Sequence, residues 1–150
     1  MNLISVKNVA YIGLRSVDDY ERYIIDKYRI TAFAMEDIEK HGIIEITERA
    51  LEAINPKNNR SLHVSYDIDS LDTLEAPSTG TSVRGGLTLR EGVSLLEIVH
   101  KTNTLAAFDL VEVNPKIGGE EDVMKTLEAA KFLIMAAFGY KRKGSPPPVI

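Results

Sequence analysis

Four short apolar runs alternate with four amphipathic stretches along the chain, and this alternation limits the fold more than any other feature. The runs are NVAYIGL (8–14), ITAFAM (30–35), SLHVSYDI (61–68) and TLAAFDLVEV (104–113). Each has strand length and is nearly continuously apolar, as strands covered on both faces of a parallel sheet are. Between and after them, helical periodicity runs through 16–28, 36–54, 88–102 and 120–140. Ser16 with Asp19, and Thr88 with Glu91, have capping-box spacing. Gly42 is a weak point within 36–54. Val123, Leu127, Ala130, Ile134 and Phe138 form one apolar stripe on the last helix. The expected class is α/β, three layers with a parallel sheet between helices.

The other bulk properties narrow the function. A chain of 150 residues is long enough for one ordinary core. Its net charge of −4, without a basic block, gives nucleic acid nothing to hold. The cluster Lys141-Arg142-Lys143 follows a helix and is expected to offset its C-terminus. There is no cysteine, which excludes disulfides and thiolate metal sites. No apolar run reaches membrane-spanning length, and MNLISVKNVAYIGLR lacks a signal-peptide core. The cytoplasm is the expected compartment. The sequence divides into an α/β unit over 1–143 and a Pro-rich tail over 144–150.

The chemistry is concentrated where the third run ends, in SYDIDSLD (65–72). Alternation along a strand puts Asp67 and Asp69 on one face, where two like charges need a cation or water between them. Carboxylates suit magnesium, calcium or manganese. Asp-x-Asp alone is weak, since a polar strand end whose acids cap the next loop reads the same way. His63 shares that face by parity but lies deeper, and is read as a hydrogen-bonded core histidine. His41 and His100 need no role beyond solvation. The residues after the first run (Arg15, Asp18) and after the fourth (Glu112, Asn114) fall where parallel sheets gather ligands, beyond the carboxyl ends of strands.

The stretches SYDIDSLDTLEAPSTGTSVRGGLTLREG (65–92), FDLVEVNP (108–115) and IGLRSVD (12–18) together resemble the C-terminal half of arginases, within the ureohydrolase family. Ser65-Tyr66-Asp67-Ile68-Asp69 matches the metal-binding signature, with Pro77, Ser78 and Gly86 at the expected offsets. Thr73 departs from the pattern, in a loop turn. EVNP resembles arginases more than agmatinases. The resemblance implies an arginase/deacetylase-like fold lacking its N-terminal half. It implies a pair of manganese ions, a hydroxide held between them, and hydrolysis of L-arginine to L-ornithine and urea. By that resemblance Asp67 bridges both ions and Asp69 binds one. Glu112 holds the substrate guanidinium, Asp18 contacts the α-amino group with Glu21 in support, and Thr81 shapes the pocket. Burial at a strand end should oblige Glu112 to have a cationic partner. The bland rival for Asp18 is an acid facing the helix dipole.

The family's other metal ligands and its catalytic histidine have no counterpart here. No histidine precedes His41, and no Asp-x-His-x-Asp occurs. The chain alone is therefore expected to be inactive. The resemblance also implies that a strand between the first and third of this chain is missing, leaving apolar edges that favour association. Partners are then a first-half-containing chain or further copies of this one. Two other readings stand beside this one. One is a non-catalytic module that engages arginase subunits around Arg90 and Glu91. The other is a ureohydrolase with different, agmatinase-like specificity.

Overall fold

The computed structural model describes residues 3–144; most of the Pro-rich tail lies outside them. The alternation read from the sequence is present as β1 (Ala10–Leu14), α1 (Asp19–Tyr28), β2 (Thr31–Ala34), α2 (Met35–Ile54), β3 (Leu62–Asp67), α3 (Leu89–Lys101), β4 (Leu105–Val111) and α4 (Glu120–Ala137). The architecture is α/β, with parallel strands flanked by helices. The strands do not form one sheet. β1 pairs in parallel with β2, β3 pairs in parallel with β4, and no ladder joins the two pairs.

The two pairs nevertheless point the same way, because both ends are tied. At the amino ends, Arg60, ahead of β3, donates to Asn8 Oδ1, ahead of β1, at 2.7 Å. At the carboxyl ends, Arg15, just past β1, donates to the main-chain carbonyls of Asp69 and Leu71, just past β3. The expected central gap thus lies between β1 and β3. A cavity of about 670 Å³ occupies it, lined by every residue of β1 and all of β3, with Ala50, Leu51 and Ile54 of α2 and Leu95 and Val99 of α3.

α2 spans both pairs and carries much of the core, burying Ile38, Ile43, Ile46 and Ala50. It kinks at Gly42, whose φ of 79° only glycine adopts without strain. α3 begins on the expected capping box: Thr88 Oγ1 accepts from Glu91 N while Glu91 reaches back to Thr88 N.

Five expectations need correction. α1 starts at Asp19 and is capped by Asp18, not Ser16, because Asp18 Oδ1 accepts from both Tyr20 N and Glu21 N at 2.9 and 2.8 Å. Of the apolar stripe read on α4, Ala130 is buried and Val123 half-buried, but its three other members face outward. Leu127 and Ile134 are exposed and Phe138 is 75% exposed, while Thr126, Ala129, Leu133 and Ala136 are buried. Small alanines let α4 lie close to α3 with Leu133 between them, and Leu127, Ile134 and Phe138 are left outside that contact. His63 is not in the core. It is exposed on the open face of β3 and forms a 2.7 Å pair with Asp109 of β4. Arg142, beyond offsetting a helix end, makes a two-pronged bond to Glu97 of α3 at 2.8 and 2.7 Å. His100 likewise has a role beyond solvation, meeting the Ala137 carbonyl of α4 at 3.1 Å.

Candidate metal and substrate site

β3 ends at Asp67, and Ile68–Ser70 turn as a short 3₁₀ helix. The two aspartates therefore do not share a face through strand alternation, as the sequence suggested. The turn brings them together instead: Asp67 Oδ1 accepts from Asp69 N at 3.1 Å and caps the turn. Both acids line the cavity, as do Glu21, Thr81, Arg15 and Val83, and Arg15 is bonded to the Asp69 and Val83 carbonyls. Burial, then the neighbouring Asp67 carboxylate, raises the pKa of Asp69, with Arg15 opposing and Glu112 adding to the rise.

A raised folded-state pKa means that ionised Asp69 works against folding. The stability it supplies is complete below the ordinary carboxylate range and is lost as pH rises through its folded value. Asp69→Asn is accordingly expected to raise the midpoint of thermal unfolding of the metal-free chain at pH 7. The gain should shrink towards pH 4, as scanning calorimetry at the two pH values would read. An equal gain at both would remove charge as the cause.

The loop after the turn is built on main-chain contacts. Asp72 accepts from Leu74 N, Gly85 N and Gly86 N, and these bonds hold its carboxyl below the usual range. Gly86 is required by space, since a Cβ there would lie 2.6 Å from Asp72 N and from the Leu71 carbonyl carbon. Ser78 ties this loop to the exit of β4. Its N donates to Thr126 Oγ1 at 2.8 Å, and its hydroxyl donates to the carbonyls of Asn114 and Ile117.

Glu112 sits at that exit with φ 64°, a left-handed conformation unusual for a residue with a side chain. Thr79, a residue that the sequence reading gave no part, holds it there by donating to the Glu112 carbonyl at 2.9 Å. The carboxylate extends towards Gly80, where a Cβ would stand 3.7 Å from Oε2. Glu112 is exposed. The expectation that burial forces a cationic partner on it does not hold, because water solvates the charge. Asp18 is the cap of α1, with Glu21 Oε2 accepting from its N at 3.2 Å. Glu21 reaches the cavity, while Asp18 is not part of its lining.

Three segments therefore converge at one end of the gap, and they are the segments whose motifs carry the family resemblance. The arginase family model matches residues 1–139. The chain belongs to the arginase family. An arginase of Neurospora crassa is 50% identical over 140 residues, 92% of this chain and 38% of that protein. The arginase of Bacillus caldovelox superposes with a TM-score of 0.85 at 31% identity, covering 93% of this chain and 45% of that one. An Entamoeba histolytica arginase solved with L-ornithine superposes with a TM-score of 0.76 at 31% identity, over 87% of this chain and 44% of that one. The chain thus spans about two-fifths of the length of the curated relatives it matches.

Measured against a family metal centre, the donors are of the right kind and too few. Hard carboxylate oxygens suit manganese. Among the described residues, however, no group of three or more His, Cys, Asp or Glu is placed to hold an ion. Asp67 and Asp69 are two such carboxylates, linked through the Asp69 N–H, and do not by themselves make a group of that size.

Proposed function

We propose that this chain is the ligand-poor half of an arginine-hydrolysing centre. It supplies Asp67 and Asp69 as ligands for manganese, and Asp18, Glu21, Thr81 and Glu112 as contacts for a guanidino substrate such as L-arginine. The observation that carries this reading is that Glu21, Asp67, Asp69 and Thr81 line one cavity. Manganese, when bound, acidifies water so that hydroxide is available near neutral pH, which an unreactive guanidinium needs. The chain's own part is to hold acids around the guanidinium and α-amino groups. On this reading residues 1–143 are half of an α/β domain, and 144–150 a tail.

Alone, the chain binds metal weakly and does not turn over arginine. The missing ligands come from a first-half-containing polypeptide, which also fills the gap between β1 and β3. No helix among the described residues is long and apolar enough to cross a membrane, and we assign the chain to the cytoplasm. A second reading is a non-catalytic module that associates with arginase subunits, or with its own copies. The exposed Leu127, Ile134 and Phe138 of α4 support it. Specificity for another guanidino compound, such as agmatine, follows from the same acids with different loops.

Calorimetric titration with Mn²⁺ tests the metal assignment. The chain is expected to bind weakly, and an Asp67→Ala, Asp69→Ala double variant not at all. Two tightly bound ions per chain would contradict the incomplete ligand set. Identical isotherms for the two proteins would remove the aspartates from the site.

A further inference from the structure

We propose that Arg15 is a positioning residue: it sets the substrate-side acids of the β1 exit against the metal aspartates of the β3 exit, across a gap that no strand bridges. The proposal rests on the roles given above to Asp18, Glu21, Asp67 and Asp69. No backbone ladder joins β1 to β3, so their relative placement depends on side chains. Packing on α2 holds both strand pairs, but apolar contact is non-directional and tolerates sliding. At the carboxyl ends, Arg15 supplies direction. Its Nη2 donates to the carbonyls of Asp69, Leu71 and Val83, the last two at 3.3 and 2.8 Å, and its Nε donates to Val83 at 3.2 Å.

The acceptors lie at two places in the segment after β3. Asp69 is a metal aspartate, Leu71 ends its turn, and Val83 lies two residues beyond Thr81. Arg15 itself stands three residues before Asp18. One rigid, planar donor set therefore ties the β1 exit to two points of the segment that follows β3. All of these acceptors are main-chain oxygens, so none of these bonds neutralises the guanidinium. Its charge stays beside the acidic cluster. The bond pattern is that of a spacer, and not of an ion pair.

A spacer and a residue that merely adds stability predict different things. Loss of stability lowers the folded fraction, but leaves the geometry of the folded molecules alone. Loss of a spacer changes that geometry. Because the chain has no cysteine, Lys27→Cys on α1 and Lys131→Cys on α4 accept spin labels cleanly, one label on each side of the gap. Double electron–electron resonance on the labelled chain, diluted in an excess of unlabelled chain so that distances between copies do not contribute, should give a single narrow distance distribution. Arg15→Met, folded by circular dichroism, is expected to broaden or displace it by about 2 Å, the scale of a helix shift at an interface.

Arg15→Lys keeps the charge but loses the second nitrogen, and is expected to give a smaller change in the same direction. Unchanged distributions in the folded variants would overturn the proposal. Should Arg15→Met not fold, Arg15→Lys decides by the same criterion. This readout needs no metal, so it stands apart from the assignment of Asp67 and Asp69. A Mn²⁺ titration of the unsubstituted chain that showed no binding would remove that assignment while leaving the distances to decide on Arg15.

Discussion

Urea release from L-arginine is expected to rise from background by at least about 10³-fold when this chain is co-expressed, with manganese, with the amino-terminal part of a relative that it does not cover. The Neurospora crassa arginase, of which the chain covers 38%, supplies such a partner. Two separate deficits are repaired at once. The first is chemical, because the described residues offer no group of three metal-binding side chains. The second is structural. The cavity between β1 and β3 exposes two facing strand edges over an apolar floor of α2 and α3 residues, and an unpaired edge is a template for association. A strand entering the gap pairs on both sides and buries that floor.

The isolated chain should therefore be oligomeric or prone to aggregate by light scattering, and the co-expressed pair soluble and of defined mass. Asp67→Ala within the pair should return urea release to background without changing its mass. Sustained turnover by the isolated chain, lost in Asp67→Ala, would contradict the proposed incompleteness and require ligands from a second copy.

The order of elements was legible from periodicity, because each strand run is apolar and short and each helix has a polar face. The gap was legible only through the family resemblance, since nothing in a strand's own residues says which neighbour is absent. Local errors arose where two patterns competed. Ser16 and Asp18 both precede α1, and Asp18 prevails because Glu21 is placed to return the bond to its N–H. On α4 the large apolar residues suggested the buried stripe, yet the alanine-rich side packs, since close approach to α3 rewards small side chains.

The depth of His63 in its strand suggests the core, but the face of β3 that carries it is open. In the site, acids with side-chain roles stood out in the motifs. Arg15 and Thr79 act through main-chain carbonyls, and a carbonyl acceptor leaves no trace in residue type. Glu112 hid its backbone strain for the same reason.

Gly92→Ala should destabilise the chain by about 2–3 kcal/mol, although alanine is the better helix former by about 1 kcal/mol. Gly92 lies in α3 with no room for a methyl group. A Cβ there would collide with Tyr66 Oη and stand 3.1 Å from Leu133 Cδ2 and 3.2 Å from Leu71 Cδ2. Tyr66 cannot withdraw, because its ring is buried in the core. Its hydroxyl lacks a hydrogen bond of normal geometry, although Ser70 lies beside it. That hydroxyl is held deeply protonated by burial and pays a desolvation penalty without return. Tyr66→Phe should thus stabilise the chain by about 1 kcal/mol, and it also removes the atom that meets the new methyl first.

In the Tyr66→Phe background, Gly92→Ala should then cost less by about 1.5 kcal/mol or more, a coupling within the range of packed neighbours. Urea denaturation of the four proteins, with equal m-values, measures it. Additivity within about 0.5 kcal/mol would show that Leu133 and Leu71, not the hydroxyl, set the limit on space at Gly92.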